Sequence, residues 1–186
     1  MRIIAGKFKS KKILFPIDKN TRPLRDLVKE SIFNLIENSN KFDLKINNSN
    51  ILDLFSGSGS FGFECISRGA EKVTFFENYS QTLKILKKNI KNLKVEKNCK
   101  IIEENCFNYV QQGQIDNFKF DIIFIDPPFK EKNINILINR IVEKRLLTNN
   151  GLIIIHRHKK DDLKISDKFR VLDTRFYGIS KIMIGC

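Results

Sequence analysis

The chain has 186 residues, which suits one α/β domain with a small appendage and a sizeable core. Its 34 Lys and Arg against 21 Asp and Glu give a net charge of +13, which favours a polyanionic partner because each neutralised phosphate releases condensed counterions. Abundant Ile, Lys and Asn would produce part of that excess by compositional bias alone, and no apolar run reaches the roughly 18 residues of a membrane span.

Residues 1–15 read as a small hairpin or extended arm. Arg2, Lys7, Lys9, Lys11 and Lys12 are basic, with no acid before Asp18, and Phe8, Ile13, Leu14 and Phe15 are apolar anchors. Such an arm suits RNA or packs as an edge strand, and the two are compatible. Thr21-Arg22-Pro23 opens a helix, with Thr21 as cap and Pro23 in the first turn. Leu24, Leu27, Val28, Ile32, Leu35 and Ile36 recur at helical spacing and are predicted to face the core. Residues 38–50 form a polar connection, so residues 1–50 make an arm and helix, and residues 51–186 the main domain.

Beyond Ile51, strands are predicted at 51–54, 72–76, 100–102, 120–125 and 151–156, and helices at 60–68, 80–94, 107–111 and 133–147. That alternation argues for a parallel sheet covered on both faces. Segments 169–176 and 179–184 flank Tyr177-Gly178 and read as a closing hairpin. In the helix after Ser80, Leu83, Leu86, Ile90 and Leu93 make the apolar stripe, and the lysines between them a solvated face.

Two loops carry the chemistry. The first is Asp53-Leu54-Phe55-Ser56-Gly57-Ser58-Gly59-Ser60-Phe61-Gly62, between a strand and a helix. Its glycines match G-x-G-x-x-G, which permits a tight turn and close approach of a ligand to the helix N-terminus. Glu77 ends the next strand, where a carboxylate accepts both ribose hydroxyls. Asp53 would repel a pyrophosphate but suits a cationic ligand. S-adenosylmethionine fits: Asp53 would reach its ammonium, the N–H groups of Gly57 to Gly59 its carboxylate, and Asn105-Cys106 its adenine edge.

The second loop is Asp126-Pro127-Pro128-Phe129, after the apolar run Phe120-Asp121-Ile122-Ile123-Phe124-Ile125. Proline fixes φ and restricts the residue before it. The Asp126 carboxylate and nearby carbonyls therefore form a fixed set of acceptors for a planar amine, and Phe129 offers a stacking face. A nucleobase amine is the expected occupant. Both loops lie at the carboxyl ends of parallel strands, so donor and acceptor would face each other in one crevice.

Cys65, Cys99, Cys106 and Cys186 show no metal-ligand spacing, so reduced thiols in a cytoplasmic protein and no metal site are expected. The opening Met1-Arg2-Ile3-Ile4-Ala5-Gly6 does not read as a signal peptide. His156 and His158 flank Arg157 at the end of a strand and read as surface residues.

Asp-Leu-Phe-Ser-Gly-Ser-Gly-Ser-Phe-Gly with Asp-Pro-Pro-Phe resembles the class I methyltransferases that modify exocyclic amines. Arg2-Ile3-Ile4-Ala5-Gly6 and Thr21-Arg22-Pro23 through Val28-Lys29-Glu30-Ser31-Ile32-Phe33-Asn34 narrow the resemblance to the RsmD family. That family methylates a guanine N2 in bacterial 16S ribosomal RNA, within the small ribosomal subunit or an assembly intermediate. The resemblance covers the full length. It implies a class I S-adenosylmethionine-dependent, Rossmann-like fold: a seven-stranded, mostly parallel sheet with a C-terminal antiparallel hairpin. It also implies a segment around Arg22 folded over the cofactor, while nothing in the sequence suggests more than a monomer. Arg22, Asp26 and Glu30 match the family pattern, whereas Leu24, Arg25, Leu27 and Lys29 depart from it. The expected cofactor residues are Arg22, Asp53, Phe55, Gly57, Ser58, Gly59, Glu77, Asn105 and Cys106. The expected catalytic residues are Asp126, Pro127, Pro128 and Phe129, and the expected RNA contacts are Arg2, Lys7, Lys9, Lys11 and Lys12. The rival readings are adenine-N6 or other amine methylation on DNA or RNA, and a non-catalytic RNA-binding assembly factor.

Overall fold

Strands and helices alternate as the apolar pattern demands. The structure is a computed structural model that describes residues 1–16, 24–38, 40–115, 117–128, 130–162 and 164–186. Its elements run α1 (Asp26–Asn38), β1 (Asn50–Leu54), α2 (Ser60–Ser67), β2 (Lys72–Phe76), α3 (Ser80–Leu93), β3 (Cys99–Ile102), α4 (Cys106–Gln111), β4 (Phe120–Ile125), α5 (Ile134–Glu143), β5 (Leu147–His158), β6 (Val171–Tyr177) and β7 (Ser180–Gly185).

The strands form one seven-stranded sheet of order β3-β2-β1-β4-β5-β7-β6. β1 to β5 pair in parallel, and β7 enters antiparallel between β5 and β6. This is the expected Rossmann-like, class I arrangement. The central strands are buried on both faces, which is why β4 reads as an apolar run rather than an alternation. Ile51, Ile122, Phe124 and Ile154 pack with α1, α2, α3 and the N-terminal arm, while Leu52, Leu54, Ile123 and Ile155 pack with α4 and α5. The chain runs outward from β1 to β3, then returns to set β4 on the other side of β1. That reversal opens a crevice beyond the carboxyl ends of β1 and β4, where open α/β sheets bind ligands.

The arm is a hairpin closed by an Arg2–Lys12 bridge, and it docks on α2. The Glu64 carboxylate accepts from Ile4 N–H at 2.8 Å and Ala5 N–H at 2.9 Å. Lys29 Nζ donates to Arg2 O at 2.8 Å and Ser60 Oγ at 3.2 Å, and lies 3.6 Å from Glu64. Both side chains of that pair are 0% exposed. Gly6 has φ +76°, and a Cβ there would sit 1.9 Å from Ser67 O, so no other residue fits. Ile3 and Ile13 of the arm belong to the same core as Ile51, Phe61 and Phe124.

One expectation lies outside the described residues, and others shift. Thr21-Arg22-Pro23 lies outside the described residues, and the described helix begins at Asp26. On α1 the buried face carries Val28, Lys29, Ile32, Phe33 and Ile36, leaving Leu27 65% exposed. Glu64 beneath the helix draws Lys29 inward at a position the apolar pattern assigns to solvent. Finally α5 stops at Glu143, well short of 147. Arg145 adopts a left-handed φ of 51°. Its N–H bonds Val142 O, while Leu146 N–H bonds Ile141 O, the pairing of a Schellman cap. Leu146 then enters the core and Leu147 opens β5. β5 itself runs two residues past His156, because β7 pairs with Arg157 and His158.

Candidate active site

Four adjacent strands each carry a polar residue at or near one end, on one face of the sheet. Side chains alternate along a strand, so Asp53 on β1 shares the face of Ile51. Asp126, just past β4, shares that of Phe124; His156 on β5 that of Ile154; and Ser180 on β7 that of Ile182. All four line a cavity of about 980 Å³ with Phe55, Gly57, Ser58, Phe61, Glu77, Asn105, Cys106, Pro127 and Pro128. Met1 and Phe15 reach the same cavity from the arm. The expected donor and acceptor loops therefore do face one space.

Asp53 is 1% exposed and accepts from Gly62 N–H at 3.2 Å. Burial pushes its carboxyl well above the usual range; the Gly62 N–H opposes this, and the charges of Asp126 and Glu77 add to it. A cation brought beside it would restore the ionised form. Glu77 accepts from Gly57 N–H at 2.8 Å and from Tyr79 N–H at 2.7 Å. Burial raises its carboxyl above the usual value, and the Tyr79, Gly57 and Asn78 N–H groups pull it back. The two oxygens together offer about four acceptor sites, so one remains for a hydroxyl.

The glycine loop departs from expectation. Gly57 N–H is spent on Glu77 and Gly59 N–H on Ser56 O, so these two groups serve the protein rather than a ligand carboxylate. The glycines answer to packing. A Cβ on Gly59 would lie 2.5 Å from Phe63 Cε2, and one on Gly62 would lie 2.3 Å from Phe75 Cε1. Asn89 of α3 fixes the loop from below, with Nδ2 donating to Ser58 O at 3.0 Å and to Leu14 O at 3.0 Å. Asn105 caps α4 by accepting from Phe107 N–H at 2.9 Å. Burial pushes the neighbouring Cys106 thiol up to about 12, so it serves as wall rather than nucleophile. Phe55 meets Phe107 edge-on at 5.8 Å.

At the acceptor corner Asp126 Oδ1 lies 2.8 Å from His156 Nδ1, and His156 Nε2 lies 2.8 Å from Ser180 Oγ. His156 is 8% exposed, which corrects its reading as a surface residue. It follows the apolar run Ile153-Ile154-Ile155 at the carboxyl end of a parallel strand, and that placement was the available clue. Pro128 O accepts from Glu131 N–H at 2.9 Å, and Glu131 O accepts from Arg157 Nη2 at 2.9 Å. Arg157 is 1% exposed and also pairs with Asp161. Phe129 and Arg22 lie outside the described residues. Arg2, Lys7, Lys9, Lys11 and Lys12 are all exposed on the arm, with Lys7 and Lys11 over the Phe8 ring at 5.6 and 5.2 Å.

Among the described residues, no group of three or more His, Cys, Asp or Glu is arranged to hold a metal ion. No helix of those residues is long and apolar enough to cross a membrane.

Known proteins resemble this chain in sequence and fold. The Ribosomal RNA small subunit methyltransferase D of Haemophilus influenzae is 34% identical over 180 residues, covering 96% of this chain and 90% of that protein. The protein of the same name in Buchnera aphidicola subsp. Acyrthosiphon pisum is 37% identical over 161 residues, covering 87% and 80%. A solved Escherichia coli structure described as a methyltransferase superimposes with a TM-score of 0.82 at 25% identity, covering 100% of this chain and 96% of that one. A Haemophilus influenzae structure described as a methylase gives 0.77 at 33% identity, covering 99% and 96%. A family model described as Conserved hypothetical protein 95 matches residues 1–185. The chain belongs to that family, the RsmD family, whose named members include ribosomal RNA small subunit methyltransferases.

Proposed function

We propose that this protein methylates the exocyclic N2 amine of a guanine in 16S ribosomal RNA, with S-adenosylmethionine as donor. The observation that carries the reading is the half-buried Asp126 carboxylate, braced by His156, facing the Asp53 and Glu77 carboxylates across one cavity. The cofactor suits the first wall. Asp53 would hold its cationic end, Glu77 its ribose hydroxyls, Asn105 and Cys106 its adenine edge, and the segment carrying Arg22 would close over it. When bound it supplies an electrophilic methyl group.

The protein's own task is to present the amine. A guanine N2 lone pair is delocalised into the ring, so the nitrogen is a poor nucleophile. Asp126 and the Pro127 carbonyl accept its N–H groups, favour the pyramidal form and oppose the positive charge that develops on nitrogen. Orientation supplies most of the rate. The proton lost afterwards goes to Asp126 or to water. The base must leave its stack to enter the cavity, and Phe129 is assigned the stacking face that receives it. The exposed arm lysines and Arg2 track the phosphate backbone.

The test is labelled methyl transfer to small ribosomal subunits from a strain lacking the protein, followed by digestion to nucleosides. The expected product is N2-methylguanosine. Methylated adenosine would replace the substrate assignment, and absence of transfer would favour a binding factor. Asp126→Ala is expected to keep cofactor affinity and lose transfer; full activity in that variant would sink the assignment.

A further inference from the structure

We infer that His156 is a positioning residue for Asp126, locked in place by Ser180; this rests on the reading of the site as an amine methyltransferase. The imidazole stands between two oxygens, at 2.8 Å from Asp126 Oδ1 through Nδ1 and 2.8 Å from Ser180 Oγ through Nε2. A carboxylate offers no donor, so Nδ1 carries a proton and gives it to that bond. The far nitrogen meets a hydroxyl, which donates to a neutral ring and accepts from a charged one. The bond to Asp126 therefore survives in either state of the ring.

One carboxylate oxygen is thereby committed. The other, Oδ2, is left for the amine, and the plane of the carboxylate is set by a donor from the neighbouring strand. The brace is stiff because its parts are strand-borne. His156 pairs with Ile182, and Ser180 with His158, in the β5–β7 ladder. The next residue repeats the device on the opposite face. Arg157 Nη2 holds Glu131 O at 2.9 Å, and Glu131 N–H in turn holds Pro128 O at 2.9 Å. Two consecutive residues of β5 thus hold Asp126 and Glu131. His156 takes no part in the bond changes. Its Nδ1 already holds a proton, so the proton released by the amine goes to Oδ2 of Asp126 or to water.

The test uses the full chain with His156→Leu, His156→Asn and Ser180→Ala. Loss of the donor in His156→Leu is expected to lower kcat about 10²-fold, the scale of an ångström-level misplacement of a reacting group. Cofactor Kd and RNA KM should stay near wild type, and the thermal melt should fall only by the few degrees that an orphaned Ser180 hydroxyl costs. The amide N–H of His156→Asn reaches the place of Nδ1–H and should recover kcat to within about tenfold of wild type. Ser180→Ala, which keeps the Asp126 bond, should lose less than His156→Leu. Nitrogen-15 spectra of the imidazole should show Nδ1 protonated in wild type. The inference is overturned by wild-type kcat in His156→Leu, by equal losses in His156→Leu and His156→Asn, by a parallel fall in cofactor affinity and melting temperature, or by an Nε2-protonated neutral ring. A wild type without transfer defeats the functional reading and the brace together, whereas an active wild type beside an equally active His156→Leu defeats the brace alone.

Discussion

Glu64→Ala should damage this protein more than any single loss of charge on its surface. The side chain is 0% exposed and serves four partners: Ile4 N–H at 2.8 Å, Ala5 N–H at 2.9 Å, Arg68 Nε at 3.0 Å and Lys29 Nζ at 3.6 Å. Removing one member of a buried ion pair costs about 3–5 kcal/mol, because the other charge is left unpaired. Here two cations and two amides lose their acceptor, so the upper half of that range, about 4–5 kcal/mol, is expected. For a domain of this size each kcal/mol moves Tm by about 2–4 °C, which gives a fall of about 8–20 °C. Urea unfolding followed by circular dichroism measures the energy, and a thermal scan the midpoint. The pH dependence adds a second reading. Burial holds Lys29 below its ordinary 10.5, and the Glu64 charge is the largest influence opposing that. Between the lowered value and 10.5 the folded state binds fewer protons than the unfolded one, so stability rises with pH through that window. Glu64→Ala widens the window downward and should steepen the rise. Adding Lys29→Met should recover at least about 1 kcal/mol relative to the sum of the two single losses. A fall in Tm under about 4 °C, or simple additivity of the pair, would refute the reasoning.

Glu77, raised by burial above its ordinary 4.5, should lose its charge earlier than an exposed glutamate as pH falls. Cofactor affinity, measured by titration calorimetry, is therefore expected to decline from above that value, and Glu77→Ala should bind weakly and keep only the pH dependence that the raised Asp53 carboxyl contributes. Gly59→Ala places a Cβ 2.5 Å from Phe63 and 2.6 Å from Leu86 at φ +85°; a loss of about 1–3 kcal/mol in a melt, with weaker cofactor binding, is expected. Replacing Lys7, Lys9, Lys11 and Lys12 together by Ala should leave cofactor affinity intact and weaken RNA binding. The slope of log K against log salt should fall by about one for each phosphate no longer neutralised, and an unchanged slope would remove the arm from the RNA interface.

The sequence made the sheet and its ligand-bearing end legible, since β4 and β2 announce themselves as short β-prone runs and the glycine loop follows β1. Glu77 and Asp126 were readable because strand ends are fixed by local pattern. His156 was not. Its role comes from β7 lying beside β5, a non-local pairing that brings Ser180 to one ring nitrogen and lets Asp126 meet the other. Lys29 escaped for the same reason, as its partner Glu64 lies on another helix. The end of α5 was misplaced because Leu146 continues the helical spacing of Ile138, Ile141 and Val142, a period that the left-handed Arg145 breaks.

The docked arm also ties distant parts of the chain to one site. Ile4 and Ala5 meet Glu64 across 60 and 59 residues, and Leu14 meets Asn89 across 75. Met1 and Phe15 complete the cavity wall, and Asn89 ties the arm to the glycine loop. The arm is thus a keystone of the site. Trimming it would unseat the cofactor wall along with the basic charges, whereas lysine-to-alanine changes remove the charges and leave the masonry standing.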